Sequence, residues 1–196
     1  TFISNSMPLA IPPTGQPPSL LSLSHAAIGM GANLGADMAS KEAVLLAAWH
    51  GLHQQPHIQP LRLSSPYHSA PHDMQSNNCF VNAVALVATR LNPLNLLHFL
   101  LQLEAQHGRR RNPHAQGYQD RSLDLDLLFF DNLHIESEAL TLPHPRMAGR
   151  LFVLAPLAEL LPDWQHPVLH RSAAELCADL NALATQQVRR SQWNHR

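Results

Sequence analysis

The sequence predicts an α+β domain on three observations. Short β-branched, apolar runs read as strands, longer segments carry apolar residues at helical spacing, and polar or proline-broken loops join successive strands as hairpins. The 196 residues suit one compact domain with a real core, and 45% hydrophobic against 14% charged excludes disorder as an account of the whole chain. Residues 1–22 are rich in Pro and Ser without periodicity and are expected to be a mobile leader. The folded domain is expected over 23–185, with a polar tail over 186–196.

From Leu23, "LSHAAIGMG" is an apolar strand closed by glycines, "ANLGADMAS" a turn, and "KEAVLLAAWHGL" a helix with Val44, Leu45, Ala48 and Leu52 on one face. "IQPLRLSSPYHSAP" alternates around Leu61 and Leu63 and breaks at Pro66. "CFVNAVALVATRL" is a strand of about ten residues; the loop "PHDMQSNN" before it is a candidate lid. Asn92 as N-cap, Pro93 at the first helical position and Gly108 beyond the end bound a helix whose core face is Leu96, Leu97, Phe99, Leu100 and Leu103. After the loop "RRRNPHAQGYQD", "RSLDLDLLFFDNLHIES" reads as two strands about a short turn at Asp131 and Asn132. "HPRMAGRLFVLAPLAELLP" reads as a helix interrupted at Pro156, and Ser172 with Glu175 forms a capping box for a last helix.

Composition narrows the function classes. A net charge of −1 supplies no global field for nucleic acid or an anionic membrane, so a polyanionic partner must be small and locally held. Lys41 is the only lysine, and every other cation is an arginine, whose planar fork suits bidentate contact with phosphate. Cys79 and Cys177 make neither a disulfide framework nor a zinc knuckle, which fits a reducing cytoplasm. No apolar run is long enough for a membrane span, and no Lys or Arg precedes Lys41 to make a basic signal region. The histidines are scattered without HExxH or paired Cys/His spacing, which disfavours a histidine zinc site.

"GMGANLG" fits a dinucleotide fingerprint, but no acidic ribose ligand follows at the required distance, which favours a plain glycine-rich turn. "RSLDLDLLFF" is stronger. Asp124 and Asp126 lie two apart in a strand and project from one face, about 6.7 Å apart along it. Leu125, Leu127 and Phe129 take the opposite face, while Leu128 and Phe130 continue the aspartate face. Two such carboxylates need partners. Mg²⁺ bound with substrate phosphates is one reading, and a solvated pair bridged by arginine is the other. Arg109, Arg110, Arg111 and Arg121 flank the loop into this strand, and His144, Arg146 and Arg150 lie near the start of a helix, which favours a polyphosphate site. Phe80 and Asn82 share a strand face, a pairing that suits a flat, hydrogen-bonding heterocycle as well as a core Phe beside a capping Asn.

The ordered set "IGMGANLG", "SSPYHSAP", "FVNAVAL", "LEAQHGRRR", "DRSLDLDLLFF", "LTLPHPRM" and "RLFVLAPLAEL" resembles the 6-hydroxymethyl-7,8-dihydropterin pyrophosphokinase family over roughly residues 24–165. The resemblance implies a ferredoxin-like α/β sandwich with a mainly antiparallel sheet and mobile loops over the site. It implies transfer of diphosphate from ATP to the pterin hydroxyl, with two Mg²⁺ ions on Asp124 and Asp126. By the same resemblance Arg109, Arg111, Arg121, Arg150 and His144 contact phosphate, Arg109 and Arg121 in catalytic roles, and Glu104, Tyr118 and Thr141 contact ATP. Ser69, Phe80, Asn82 and Phe152 line the pterin slot. The expected partners are those two substrates alone, the expected state a monomer in the cytoplasm.

Gln119 and Asp120 depart from the family's usual small residue followed by proline or another small residue before the arginine, Tyr118 stands where the family often has Trp, and Gly117 replaces an arginine. These changes touch the lid and leave the aspartate pair intact, so altered ATP affinity or closure is expected rather than lost chemistry. A non-catalytic pterin- or nucleotide-binding paralogue is the alternative.

Overall fold

The computed structural model describes residues 23–70, 78–108 and 120–193. The leader, the candidate lid over 71–77 and the arginine loop over 109–119 lie outside them. The strands are β1 (Ser24–Ala32), β2 (Ile58–Leu63), β3 (Tyr67–Ser69), β4 (Phe80–Thr89), β5 (Asp124–Phe130), β6 (Ile135–Glu136), β7 (Thr141–Leu142) and β8 (Val188–Arg190). The helices are α1 (Met38–His53), α2 (Pro93–Gln106), α3 (Leu151–Leu160) and α4 (Ala173–Leu183). The main sheet runs β5-β1-β4-β3-β8, with β2 also on β4, and every ladder is antiparallel. β1 and β2 both oppose β4, so they run parallel and are joined through α1. β4 and β5 both oppose β1, so they too run parallel, joined through α2. These interlocked split βαβ units are the ferredoxin-like arrangement.

Strand alternation sorts the core into two layers. Ala26, Ile28 and Met30 of β1 with Val81, Ala83, Ala85 and Val87 of β4 pack against Leu45, Ala48 and Leu52 of α1 and Leu96, Leu100 and Leu103 of α2. Ala27, Val84 and Leu86 face the other way, onto Val153, Leu157 and Leu160 of α3. The α2 caps are as expected: Asn92 Oδ1 accepts the Asn95 N–H at 2.9 Å, Pro93 opens the helix, and Gly108 follows it at φ 80°. The capping box on α4 also forms, with the Ser172 hydroxyl accepting the Glu175 N–H at 3.1 Å.

Several expectations are corrected. α1 begins at Met38, three residues early, because Asp37 and Ser40 build a capping box inside the stretch read as a turn. Gly29 and Gly31 lie within β1 rather than in a turn. α3 runs through Pro156 without interruption. The buried Leu151, Val153, Leu154, Leu157 and Leu160 outweigh the roughly 3 kcal/mol that an internal proline costs. The two strands about Asp131 do not pair with each other: β6 pairs with β7 in a separate small sheet. Asp131, at φ 47°, closes the β1–β5 ladder by accepting the His25 N–H at 2.7 Å.

The faces of β5 change partway along. Ala27 pairs with Phe129 but Ile28 with Leu127, so Leu128 is the extra residue of a bulge. Phe129 therefore joins the α3 layer, where it stacks on Trp164 at 4.5 Å between centroids, and Phe130 joins the α1/α2 layer. Strict alternation had assigned those two rings the other way round.

Residues beyond 185 contribute β8, which extends the sheet on β3. Gln186 accepts the Leu151 N–H at 2.9 Å and Trp193 donates to the Ser64 carbonyl at 2.9 Å, so this segment is tied to the domain. No helix among the described residues is long and apolar enough to cross a membrane.

Candidate active site

The site is built from two parallel rows across three neighbouring strands. Asn82 of β4, Gly31 of β1 and Asp124 of β5 stand opposite one another, and so do Val84, Gly29 and Asp126. All six are on the α3 side of the sheet, because they alternate with residues of the α1/α2 layer. Gly31 leaves the floor between Asn82 and Asp124 without a side chain, whereas the buried Leu128 side chain packs over Gly29. A Cβ at Gly31 would stand 3.3 Å from Asn82 Oδ1 and 4.0 Å from Asp124 Cβ. The sequence reading missed these two glycines as site residues; their i, i+2 spacing within a strand was the available signal.

Asp124 and Asp126 each face cationic or N–H-bearing side chains of the chain. Arg121 Nη1 donates to Asp124 Oδ2 at 2.6 Å. His144 Nε2 and Arg150 Nη1 stand 3.8 Å and 4.0 Å from Asp126 Oδ2. Burial pushes the Asp126 carboxyl above its ordinary value and the Asp124 carboxylate pushes it further, against the pull of His144, Arg150 and Arg121. His144 is held below the ordinary imidazole value, chiefly by burial. Its Nδ1 accepts the Arg146 N–H at 3.2 Å, so the neutral ring carries its proton on Nε2, toward Asp126. The His144 N–H donates to Leu128 O at 2.8 Å, which fastens the segment after β7 to the bulge.

The pterin-slot candidates are brought together in part. Asn82 and Ser69 are both buried, and Asn82 Nδ2 donates to Ser69 Oγ at 3.1 Å and to the Tyr67 carbonyl at 3.4 Å. A carbonyl can only accept, so the amide is oriented with Oδ1 toward Gly31. Phe80, at the head of β4, shares this sheet face, and Phe152 packs on the α3 layer with the Arg150 guanidinium 5.5 Å from its ring centre.

Glu104 is buried in α2, and its Oε1 accepts the Leu125 N–H at 2.7 Å. β5 ends the sheet, so this carboxylate covers a backbone donor that no strand would take. Thr141 stands opposite Glu136 in β7, and no hydrogen bond among the described residues joins it to either aspartate. Arg109, Arg111 and Tyr118 lie outside the described residues.

No group of three or more His, Cys, Asp or Glu side chains that could hold a metal occurs among the described residues. The two carboxylates nevertheless suit Mg²⁺, a hard cation that keeps one or two carboxylates and takes its remaining oxygens from water and substrate phosphate. A dication also offsets the repulsion that raises the proton affinity of Asp126.

Comparison with known proteins places the chain. Residues 27–162 match the family model for 7,8-dihydro-6-hydroxymethylpterin-pyrophosphokinase. A 2-amino-4-hydroxy-6-hydroxymethyldihydropteridine pyrophosphokinase of Bacillus subtilis is 39% identical over 127 residues, covering 65% of this chain and 74% of that protein. The protein of the same name from Synechocystis is 33% identical over 165 residues, covering 83% and 80%. Among solved structures, Plasmodium falciparum HPPK-DHPS superposes with a TM-score of 0.63 at 15% identity, over 81% of this chain and 43% of that longer one.

Proposed function

Because this chain belongs to the 7,8-dihydro-6-hydroxymethylpterin-pyrophosphokinase family, we propose that it transfers the terminal diphosphate of ATP to the hydroxyl of 6-hydroxymethyl-7,8-dihydropterin. The products are AMP and the pterin diphosphate used in folate biosynthesis. The observation that carries this is the pair of cross-strand rows, which sets an oriented amide and two carboxylates on one face of the sheet with Arg121, His144 and Arg150 beside them.

Each group has a role that its chemistry supports. Asn82 Oδ1 accepts from the pterin's amide edge, Ser69 holds that amide in orientation, and Phe80 and Phe152 supply apolar faces for the flat ring. Asp124 and Asp126 would hold two Mg²⁺ ions, which would supply charge neutralisation and alignment of the phosphate chain. The pterin hydroxyl oxygen attacks the β-phosphorus in line. The bond from that phosphorus to the α,β-bridging oxygen breaks, AMP leaves with the oxygen, and the hydroxyl proton passes to solvent. Arg121 and Arg150 offset negative charge on the transferring group, the neutral His144 donates its Nε2–H to it, and orientation supplies much of the rest. The resemblance adds Arg109, Arg111, Glu104, Tyr118 and Thr141 on the nucleotide side. The chain works as a monomer in a reducing cytoplasm, where the two cysteines stay as thiols.

The test is AMP formation measured with ATP, pterin and Mg²⁺, each omitted in turn, and repeated with Asp124→Ala and Asp126→Ala. Activity should require all three components and fall at least about a hundredfold in either variant, the loss of several kcal/mol of charge stabilisation. Ligand binding without AMP would select a non-catalytic paralogue.

A further inference from the structure

Just outside the aspartate rows, where three strand ends converge, one carboxylate joins segments that no ladder pairs. Asp120 Oδ1 accepts the Asn33 Nδ2–H at 2.6 Å, and its Oδ2 accepts the Asn78 Nδ2–H at 2.7 Å. Asn33 follows the end of β1, Asn78 precedes β4 by two residues, and Asp120 leads into β5. Asn33 is fully buried, and its Oδ1 accepts the Arg121 N–H at 2.7 Å. Because a backbone N–H can only donate, that bond fixes which way the Asn33 amide points, and its NH₂ must face Asp120. The Arg121 carbonyl in turn accepts from the Asn33 and Leu34 N–H groups at 3.1 Å and 3.2 Å. Both peptide groups of Arg121 are thereby fixed while its guanidinium rests on Asp124.

We propose that Asp120 is a positioning residue: through Asn33 it holds the Arg121 backbone, so that the guanidinium is aimed at the phosphates, and through Asn78 it keeps the Phe80 end of β4 at a set distance from Arg121. This rests on the diphosphate-transfer reading of the same site. Asp120 is exposed and lies outside the two aspartate rows. Its effect comes from pre-ordering the one arginine among the described residues that is bonded to Asp124, and pre-ordering lowers the barrier rather than the ground state. Loss of a group that orients a site residue commonly costs 10–100-fold in activity.

The experiment measures kcat, KM for ATP and melting temperature on the full chain for Asp120→Ala, Asp120→Asn, Arg121→Ala and the Asp120→Ala/Arg121→Ala double variant. Asp120→Ala should lower kcat about tenfold or more with KM for ATP within about threefold, and should barely move the melting temperature. Asp120→Asn keeps an oxygen for the Asn33 amide and should recover most of the rate. In the Arg121→Ala background the Asp120→Ala substitution should cost almost nothing further, since what it positions is already gone. Wild-type rates in Asp120→Ala, or losses that multiply in the double variant, would overturn the proposal alone. A wild-type chain that forms no AMP would overturn the functional reading and this proposal with it.

Discussion

Glu104 of α2 accepts the backbone N–H of Leu125, the residue that separates Asp124 from Asp126, at 2.7 Å. One helix carboxylate therefore holds the free edge of the strand that carries the acidic pair. Glu104→Ala should leave that buried N–H without its acceptor, at a cost of about 1–3 kcal/mol. Glu104→Gln keeps an oxygen and should lose less. Urea unfolding of the two variants checks this, and equal losses would remove the strand bond as the cause.

The raised proton affinity of Asp126 has a definite sign in stability. Its folded-state value lies above the unfolded one, so its contribution is fully present below the ordinary carboxylate range and is lost as pH rises through the folded value. Asparagine cannot ionise. Without metal, Asp126→Asn should melt above wild type at neutral pH, and the gap should close on acidification. Adding Mg²⁺ should narrow it from the other side by stabilising only the wild type. Melting curves from about pH 4 to about pH 8 decide it; a variant that melts lower at pH 7 contradicts the assignment.

Gly31 has room for a Cβ only if Asn82 Oδ1 yields from 3.3 Å. Gly31→Ala should weaken pterin binding about fivefold, the worth of one ordinary hydrogen bond, and leave the fold intact. Gly29→Ala meets instead the buried Leu128 side chain at 3.2 Å, away from Asn82, and should disturb pterin affinity less. Titration of the pterin into each variant compares them, and a larger loss at Gly29 would argue against an Asn82 contact.

Tyr67 donates its hydroxyl to Glu159 at 2.9 Å, and burial with that neighbour pushes its phenol up to about 12. An unfolded tyrosine ionises earlier, so Tyr67 stabilises the fold at neutral pH, and this contribution is lost between about pH 10 and pH 12. Tyr67→Phe should flatten that alkaline fall in melting temperature. It should also remove the phenolate absorbance step near pH 12. An unchanged alkaline profile would mean that the hydroxyl is not paired in solution.

The ends of two helices and the acidic pair were legible in the sequence for different reasons. Asn92-Pro93 and Ser172-x-x-Glu175 are local signals whose partners lie within one turn, so the ends of α2 and α4 could be read directly. The two aspartates on one face follow from the period of a strand, which holds wherever that strand is placed. The faces of Phe129 and Phe130 could not be read in that way, because the bulge at Leu128 exists only in the pairing of β5 with β1. Pro156 misled for a related reason, since the burial that holds α3 together comes from the sheet beneath it.

On its own, then, the chain of residues determined the α+β class, most helix ends, the acidic pair and the family to which the ordered motifs point. Folding decided that Gly31 stands between Asn82 and Asp124, that Glu104 faces a strand edge, and that Asp120 reaches two asparagines 87 and 42 residues away in the chain. The division has a physical cause. Periodicity and capping depend on neighbours a few residues apart, whereas a cross-strand row depends on which strands meet and in what register, and that is set by the packing of the whole domain.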